Sequence, residues 1–193
     1  DSSHNAMARY ALVSTGWQDE TLVNNHFDLT RGPYESVIDR AARKRLRKSE
    51  NSGASFEPVG LDRAYAVIAE NRRMRGYPLA MSLEEVLSTS PITLTRGYAV
   101  SYNGADIAAA IVNDISAEVS QIVYWGDNGL SQEVLGMKLL ASKLYELYRA
   151  EGRRYLDIGP SGIWGELSPM LSFFKEHVGA STTQKHRLSL QQS

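Results

Sequence analysis

One run in the second half of the chain limits what it can fold into more than any other: two strand–helix units in direct succession. Gln121-Ile122-Val123-Tyr124-Trp125-Gly126-Asp127 predicts a buried strand that ends in a turn. A long amphipathic helix is expected from about residue 131 to residue 150. Tyr155-Leu156-Asp157-Ile158-Gly159-Pro160-Ser161 then predicts a short strand closed by a Gly-Pro-Ser turn. A second helix end follows at Phe173-Phe174-Lys175-Glu176-His177-Val178-Gly179, capped by the glycine. Two neighbouring strands joined by such a helix open a cleft at their ends and point a helix N-terminus into it.

The rest of the sequence supplies the frame for that cleft. Val37, Ile38, Ala41, Ala42 and Leu46 recur at helical spacing over residues 34–51, and Asn51-Ser52-Gly53 stops them. A strand over 54–59 leads into a helix over 61–75, with Ala64, Val67, Ile68 and Met74 expected inside and Gly76 as its stop. Ser82 and Glu85 have capping-box spacing for a short helix over 82–88. Tyr98–Tyr102, Asn103-Gly104 and Ala105–Val112 read as a hairpin, because Asn-Gly accepts the positive φ angles of a two-residue turn. Further strands are expected over 118–125 and 184–190. Residues 8–33, including Tyr10-Ala11-Leu12-Val13, give only weak strand signals. Hairpins that pass into helix-linked strands predict a mixed α/β fold with a central mixed sheet.

Composition narrows the chemistry. The 193 residues are 42% hydrophobic, which suits one core, so residues 8–193 are expected to form one domain. Residues 1–6 read as a remnant of an expression tag, and the domain as trimmed from a larger protein. With no cysteine, thiol nucleophiles, disulfides and zinc-thiolate sites are excluded, which fits a cytoplasmic protein. The four histidines lack metal-ligand spacing, so no metal is expected. No apolar run reaches the roughly 20 residues of a membrane span. A net charge of -1 gives no global attraction for nucleic acid. The cations are local: Arg40 to Lys48 forms a basic helix face, and Arg72, Arg73 and Arg75 a smaller patch. The basic helix suits an RNA backbone or a nucleotide-sugar, or is a solvated face.

Several side chains carry two readings each. The Gly126–Gln132 turn, with Ser131 as cap of the helix, suits a pyrophosphate, or is an ordinary strand–helix connection. Asp127 and Asp157, at the ends of adjacent strands, orient an amine or act as a base, or Asp157 caps a turn through its side-chain oxygens. Tyr124 and Trp125 alternate across their strand, one towards the core and one towards the cleft. Lys175 neutralises a phosphate or oxyanion, or balances the helix dipole.

Four stretches together resemble the GNAT acyltransferase superfamily, and within it the Fem-type branch and related acetyltransferases. They are Ala42-Arg43-Lys44-Arg45-Leu46-Arg47-Lys48-Ser49, Tyr124-Trp125-Gly126, Tyr155-Leu156-Asp157-Ile158-Gly159, and Phe174-Lys175 followed by Gly179. The resemblance covers residues 34–190. It implies an N-acyltransferase that moves an acyl group from acetyl-CoA or another acyl-CoA to an amino group of a small metabolite or sugar. The donor would lie along Val123, Trp125, Gly126, Asn128, Gly129, Ser131 and Gln132. Tyr124, Ser161, Phe174, Arg43 and Arg47 would meet the acceptor, and Lys175, Asp127 and Asp157 would carry the chemistry. In the Fem-type alternative the donor is an aminoacyl-tRNA, the acceptor a cell-wall peptide precursor, and Phe174 and Lys175 lie near the reacting ester. A third reading is a non-catalytic binding protein of the same fold. The chain departs from the acetyltransferase pattern twice. Gln132-Glu133-Val134-Leu135-Gly136 keeps only part of the glycine-spaced pyrophosphate loop, and Phe173 or Phe174 stands where a proton-donating tyrosine is usual. Tyr145 or Tyr148 would be the substitute donor, at helical positions that favour packing.

Overall fold

The computed structural model describes residues 2–130, 133–163 and 166–190. The chain begins with a helix, α1 (Ser2–Ser14), and a long strand, β1 (Gln18–Asp28). A single helical turn, α2 (Tyr34–Val37), and the basic helix α3 (Arg40–Glu50) lead to β2 (Ser55–Val59). Helices α4 (Leu61–Arg75) and α5 (Leu83–Thr89) precede three successive strands, β3 (Thr95–Tyr102), β4 (Ala105–Asp114) and β5 (Val119–Asp127). Helix α6 (Gly136–Ala150) crosses back to β6 (Tyr155–Pro160). A two-residue ladder, β7 (Gly162–Ile163) with β8 (Glu166–Leu167), introduces α7 (Pro169–His177), and β9 (Ser181–Ser189) follows. Seven strands form one sheet in the order β2-β3-β4-β5-β6-β1-β9. Every pair in it is antiparallel except β5 with β6.

Local chemistry places many of these boundaries. Asn103 (φ 51) and Gly104 (φ 78) make the β3–β4 turn, and its twist matches that of the strands. Gly76 closes α4 in the left-handed region, with its N–H on the carbonyls of Arg72 and Arg73. Ser82 and Glu85 form a reciprocal capping box at α5.

Helices cover both faces of the sheet. On one, α3 and α6 bury Leu46, Leu139, Leu140 and Leu144 against Val100, Ala108, Ala110 and Ile122. On the other, α4 and α5 bury Ala64, Val67, Ile68 and Val86 against Ala109, Ile111 and Tyr124. Small residues in β4 let both layers approach: Ala108, Ala109 and Ala110 are each 0% exposed. Gly97 is needed for the same reason, since a Cβ there would lie 2.8 Å from the Val59 carbonyl.

Four expectations need correction. Residues 2–14 are helical, so Tyr10–Val13 are not a strand. The helix expected over 34–51 breaks at Ile38 and Asp39. The Asp39 carboxylate accepts the Ala42 N–H and starts α3 afresh. The helix expected from residue 131 begins at Gly136 instead. Met74 faces outward and is 52% exposed.

Candidate functional site: a splay between two bulged strands

The parallel pairing of β5 with β6 is short: Val119 with Tyr155, Ser120 with Leu156, and Gln121 with Asp157. Past that point each strand is held by its other neighbour alone and carries an extra residue. In β5 the ladder to β4 steps from Ile122 to Tyr124 while β4 advances by one, which leaves Val123 extra. In β6 the ladder to β1 steps from Asp157 to Pro160 while β1 moves from His26 to Asn24, which leaves one of Ile158 and Gly159 extra. Each bulge bends its strand and removes it from the shared ladder, and the sheet opens between them.

The β5 bulge also sorts side chains. Val123 and Tyr124 both turn towards the α4 face, and Ile122 and Trp125 towards the α6 face. Tyr124 is buried there and its hydroxyl accepts the Met81 N–H at 3.0 Å. Trp125 meets Phe174 of α7 edge-on, with ring centroids 5.5 Å apart, so an aromatic pair spans the opening.

On the β6 side a network of polar groups lies in the interior. Asp157 Oδ1 accepts the Gly159 N–H at 2.7 Å and the Asn24 Nδ2–H at 3.1 Å. That bond forms an Asx turn and holds Gly159 at φ 75, a conformation glycine adopts at little cost. The turn aims two carbonyls, of Gly159 and Pro160, at Lys175. Lys175 is 1% exposed, and its ammonium donates to them at 2.7 and 2.8 Å. Desolvation lowers its pKa to about 8, against the opposing attraction of Asp157. Ser161, fully buried, donates to Asn25 Oδ1, and Asn25 Nδ2 donates to Thr182 of β9 at 3.1 Å. One acceptor, Asn24 Oδ1, is buried with no partner among the described residues.

The β5 side ends in a turn. Asp127 Oδ1 accepts the Gly129 N–H at 3.0 Å, and the Asp127 carbonyl accepts from Asn71 of α4 at 2.6 Å. Asn128 donates to the Asp106 carbonyl and accepts the Leu130 N–H. Gly126 is required here because a Cβ would sit 2.7 Å from the Asn71 side chain. Farther on, Ser49 of α3 donates to the carbonyls of Val134 and Leu135 at 2.6 and 3.3 Å. Leu135, at φ 55, is the N-cap of α6 and has no side-chain hydrogen bond to offer. Among the described residues no acceptor meets the N–H groups of Gly136 and Met137. They supply the positive end of the α6 dipole.

The structure thus brings Trp125, Phe174, Lys175, Asp157 and Ser161 to the two sides of the splay. Asp127, Asn128 and Gly129 form the turn beyond β5. Tyr124 lies on the opposite face from Trp125, and Val123 turns the same way. Arg43 and Arg47 lie on α3. Arg47 is exposed and pairs with Glu35 at 3.6 Å. Ser131 and Gln132 lie outside the described residues. Tyr145 and Tyr148 are 1% and 0% exposed. Their hydroxyls meet the Asp28 and Gly32 carbonyls and Tyr98 respectively, and burial raises the pKa of both. Asn24, Asn25 and Thr182 escaped the sequence reading. The adjacent asparagines inside an otherwise alternating strand were the available signal.

No protein-family model and no curated protein sequence matches the chain. Solved structures do. FemX matches with a TM-score of 0.75 at 10% identity, covering 92% of this chain and 66% of that one. The C-terminal domain of a putative lysylphosphatidylglycerol synthetase from Agrobacterium fabrum matches at 0.67 and 14% identity, over 94% and 64%. A GCN5-related N-acetyltransferase from Kribbella flavida matches at 0.53 and 14%, over 93% and 62%. The chain spans less than two thirds of each of these structures. Its fold is the one shared by GNAT acetyltransferases and Fem-type proteins. Among the described residues no helix is long and apolar enough to cross a membrane, and no side-chain cluster is suited to a metal.

Proposed function

We propose that this chain, with its GNAT fold, transfers an acyl group to an amine at the β5–β6 splay, and that the donor is an aminoacyl ester of the Fem type. One observation carries the reading: Lys175 is buried at the foot of the splay, beside the Trp125–Phe174 pair, with its ammonium fixed by two carbonyls. A buried cation so held is costly to the fold, and such a cost is retained where a negative charge develops. Attack by an amine on an ester carbonyl forms a tetrahedral oxyanion. The third N–H of Lys175 is the donor available to it. The splay supplies the slot, and the aromatic pair walls it from water.

The sequence resemblance places Phe174 and Lys175 near the reacting ester in the Fem-type branch, and FemX is among the structures that share this fold. Fem-type transfer delivers the aminoacyl group to a peptide precursor of the cell wall, which stands here as the acceptor class.

A second reading, transfer from acetyl-CoA or another acyl-CoA to the amine of a small metabolite or sugar, is favoured by the N–H groups of Gly136 and Met137, which meet no acceptor among the described residues. They suit a pyrophosphate. Against it stands the loop before α6, where Leu135 rather than glycine adopts the left-handed conformation.

Thermal unfolding in the presence of each donor separates the two. A ligand at 100 times its Kd stabilises the fold by about 2.7 kcal/mol. Stabilisation by aminoacyl-tRNA and not by coenzyme A supports the Fem-type donor. The reverse pattern moves the chain to the acyl-CoA class, and no shift with either rejects acyl transfer.

A further inference from the structure

Asp157 is linked to Lys175 through the backbone of β6. Its Oδ1 accepts the Gly159 N–H, and that bond sets the left-handed turn that presents the Gly159 and Pro160 carbonyls to the lysine. Asn24 Nδ2 pins the same oxygen from β1. The other oxygen lies 3.9 Å from Lys185 of β9. The two carbonyls bring partial negative charge only. The full negative charge acting on the lysine is that of Asp157 on β6. Lys185 on β9 stands beyond Asp157, and His177 follows two residues along α7. Asp157 also has little solvent to draw on, since its side chain is 19% exposed.

We propose that Asp157 is a positioning residue for Lys175: its carboxylate shapes the β6 bulge that grips the ammonium, and is the counter-charge the ammonium faces. Asp157 therefore neither takes a proton from the amine substrate nor touches the reacting atoms. The proposal rests on Lys175 being the oxyanion donor of the transfer above, and its test reads the lysine itself, so the two stand or fall separately.

The test follows the Lys175 side chain by NMR through a pH titration, on the full chain without substrate. Asp157→Asn keeps an oxygen for Gly159 and removes the charge. The Lys175 titration then falls from its starting value near 8 by roughly half a unit or more, with the Gly159 amide signal retained. A purely structural Asp157 leaves the titration unmoved. Lys185→Met supplies the second arm, with Asp157 intact. Removing the competing cation strengthens the pull of Asp157 and raises the Lys175 titration, and this readout survives even where Asp157→Asn fails to fold. An unmoved Lys175 in Lys185→Met, or in a folded Asp157→Asn, overturns the proposal. If the titrations move as stated while Lys175→Met keeps full transfer activity, the coupling stands and the catalytic reading of Lys175 falls.

Discussion

From β2 to β5 the sheet buries alanine, valine and isoleucine on both faces, and its ladders continue past the bulges that interrupt β3–β4 and β4–β5. Around the end of β6 the same sheet buries Asn24, Asn25, Ser161 and Lys175, and its pairing gives way after three residue pairs. The first region is what stability alone would select, because apolar surface removed from water stabilises and asks nothing of geometry. The second is costly to bury and depends on every bond being made. A fold that carries both has one region that holds it together and one that the first must support.

Substitutions should separate the two regions. The largest effect is expected in the dry one: Leu144→Ala, at a fully buried position on α6, should cost about 2–5 kcal/mol in urea unfolding. A loss below 1 kcal/mol would show that α6 is loosely packed and the contrast overstated. In the polar region Lys175→Met should do the opposite, lowering transfer about 10²–10³-fold while stability holds or rises. Equal damage to both would make Lys175 part of the scaffold.

The pH dependence has a definite sign. The folded-state pKa of Lys175, about 8, lies below the unfolded value near 10.5, so between them the unfolded chain binds more protons and stability rises with pH. The gain reaches up to about 3 kcal/mol by pH 10.5 and should be missing from Lys175→Met when both are unfolded in urea across that range. Activity that needs the ammonium falls through the same window, above pH 8.

Two smaller tests probe the boundary of the dry region. Gly126→Ala forces a Cβ against Asn71 and should destabilise by about 1–3 kcal/mol, read as a lower urea midpoint. Arg96 joins Asp114 and Glu151 at 3.0 and 2.6 Å at the other end of the sheet. Its replacement by Met leaves Arg153 as the cation on Asp114, whose side chain is 9% exposed, and should cost about 1–3 kcal/mol in urea unfolding.

The two regions also differed in how far the sequence revealed them. The Asn103-Gly104 turn, the Gly76 cap and the Ser82–Glu85 box were legible because each is decided by a few adjacent residues. The start of α6 was not. Ser131 has the chemistry of a cap, yet the helix begins after Leu135, whose carbonyl is held by Ser49, 86 residues away. The break at Asp39 was hidden by an apolar pattern that runs unbroken across it, although aspartate is a common N-cap. Asp157 was singled out by its place at a strand end, but its partner was not. Asn24 reaches Asp157 across 133 residues, and Asn25 reaches Thr182 across 157. No local period encodes such pairs.

Those separations set an order of events during folding. The β3–β4 hairpin and the strand after it close through short loops, which form fast. The Gly159 and Pro160 carbonyls lie only 16 and 15 residues from Lys175, but β1 must wait for β6 and β9, so the polar bonds of Asn24 and Asn25 join distant pieces of chain. The last part of the molecule to become ordered should therefore be the β1 side of the proposed site, and a refolding time course should show helix and hairpin signals saturating before the Asn24 and Asn25 side-chain amides reach their final environment.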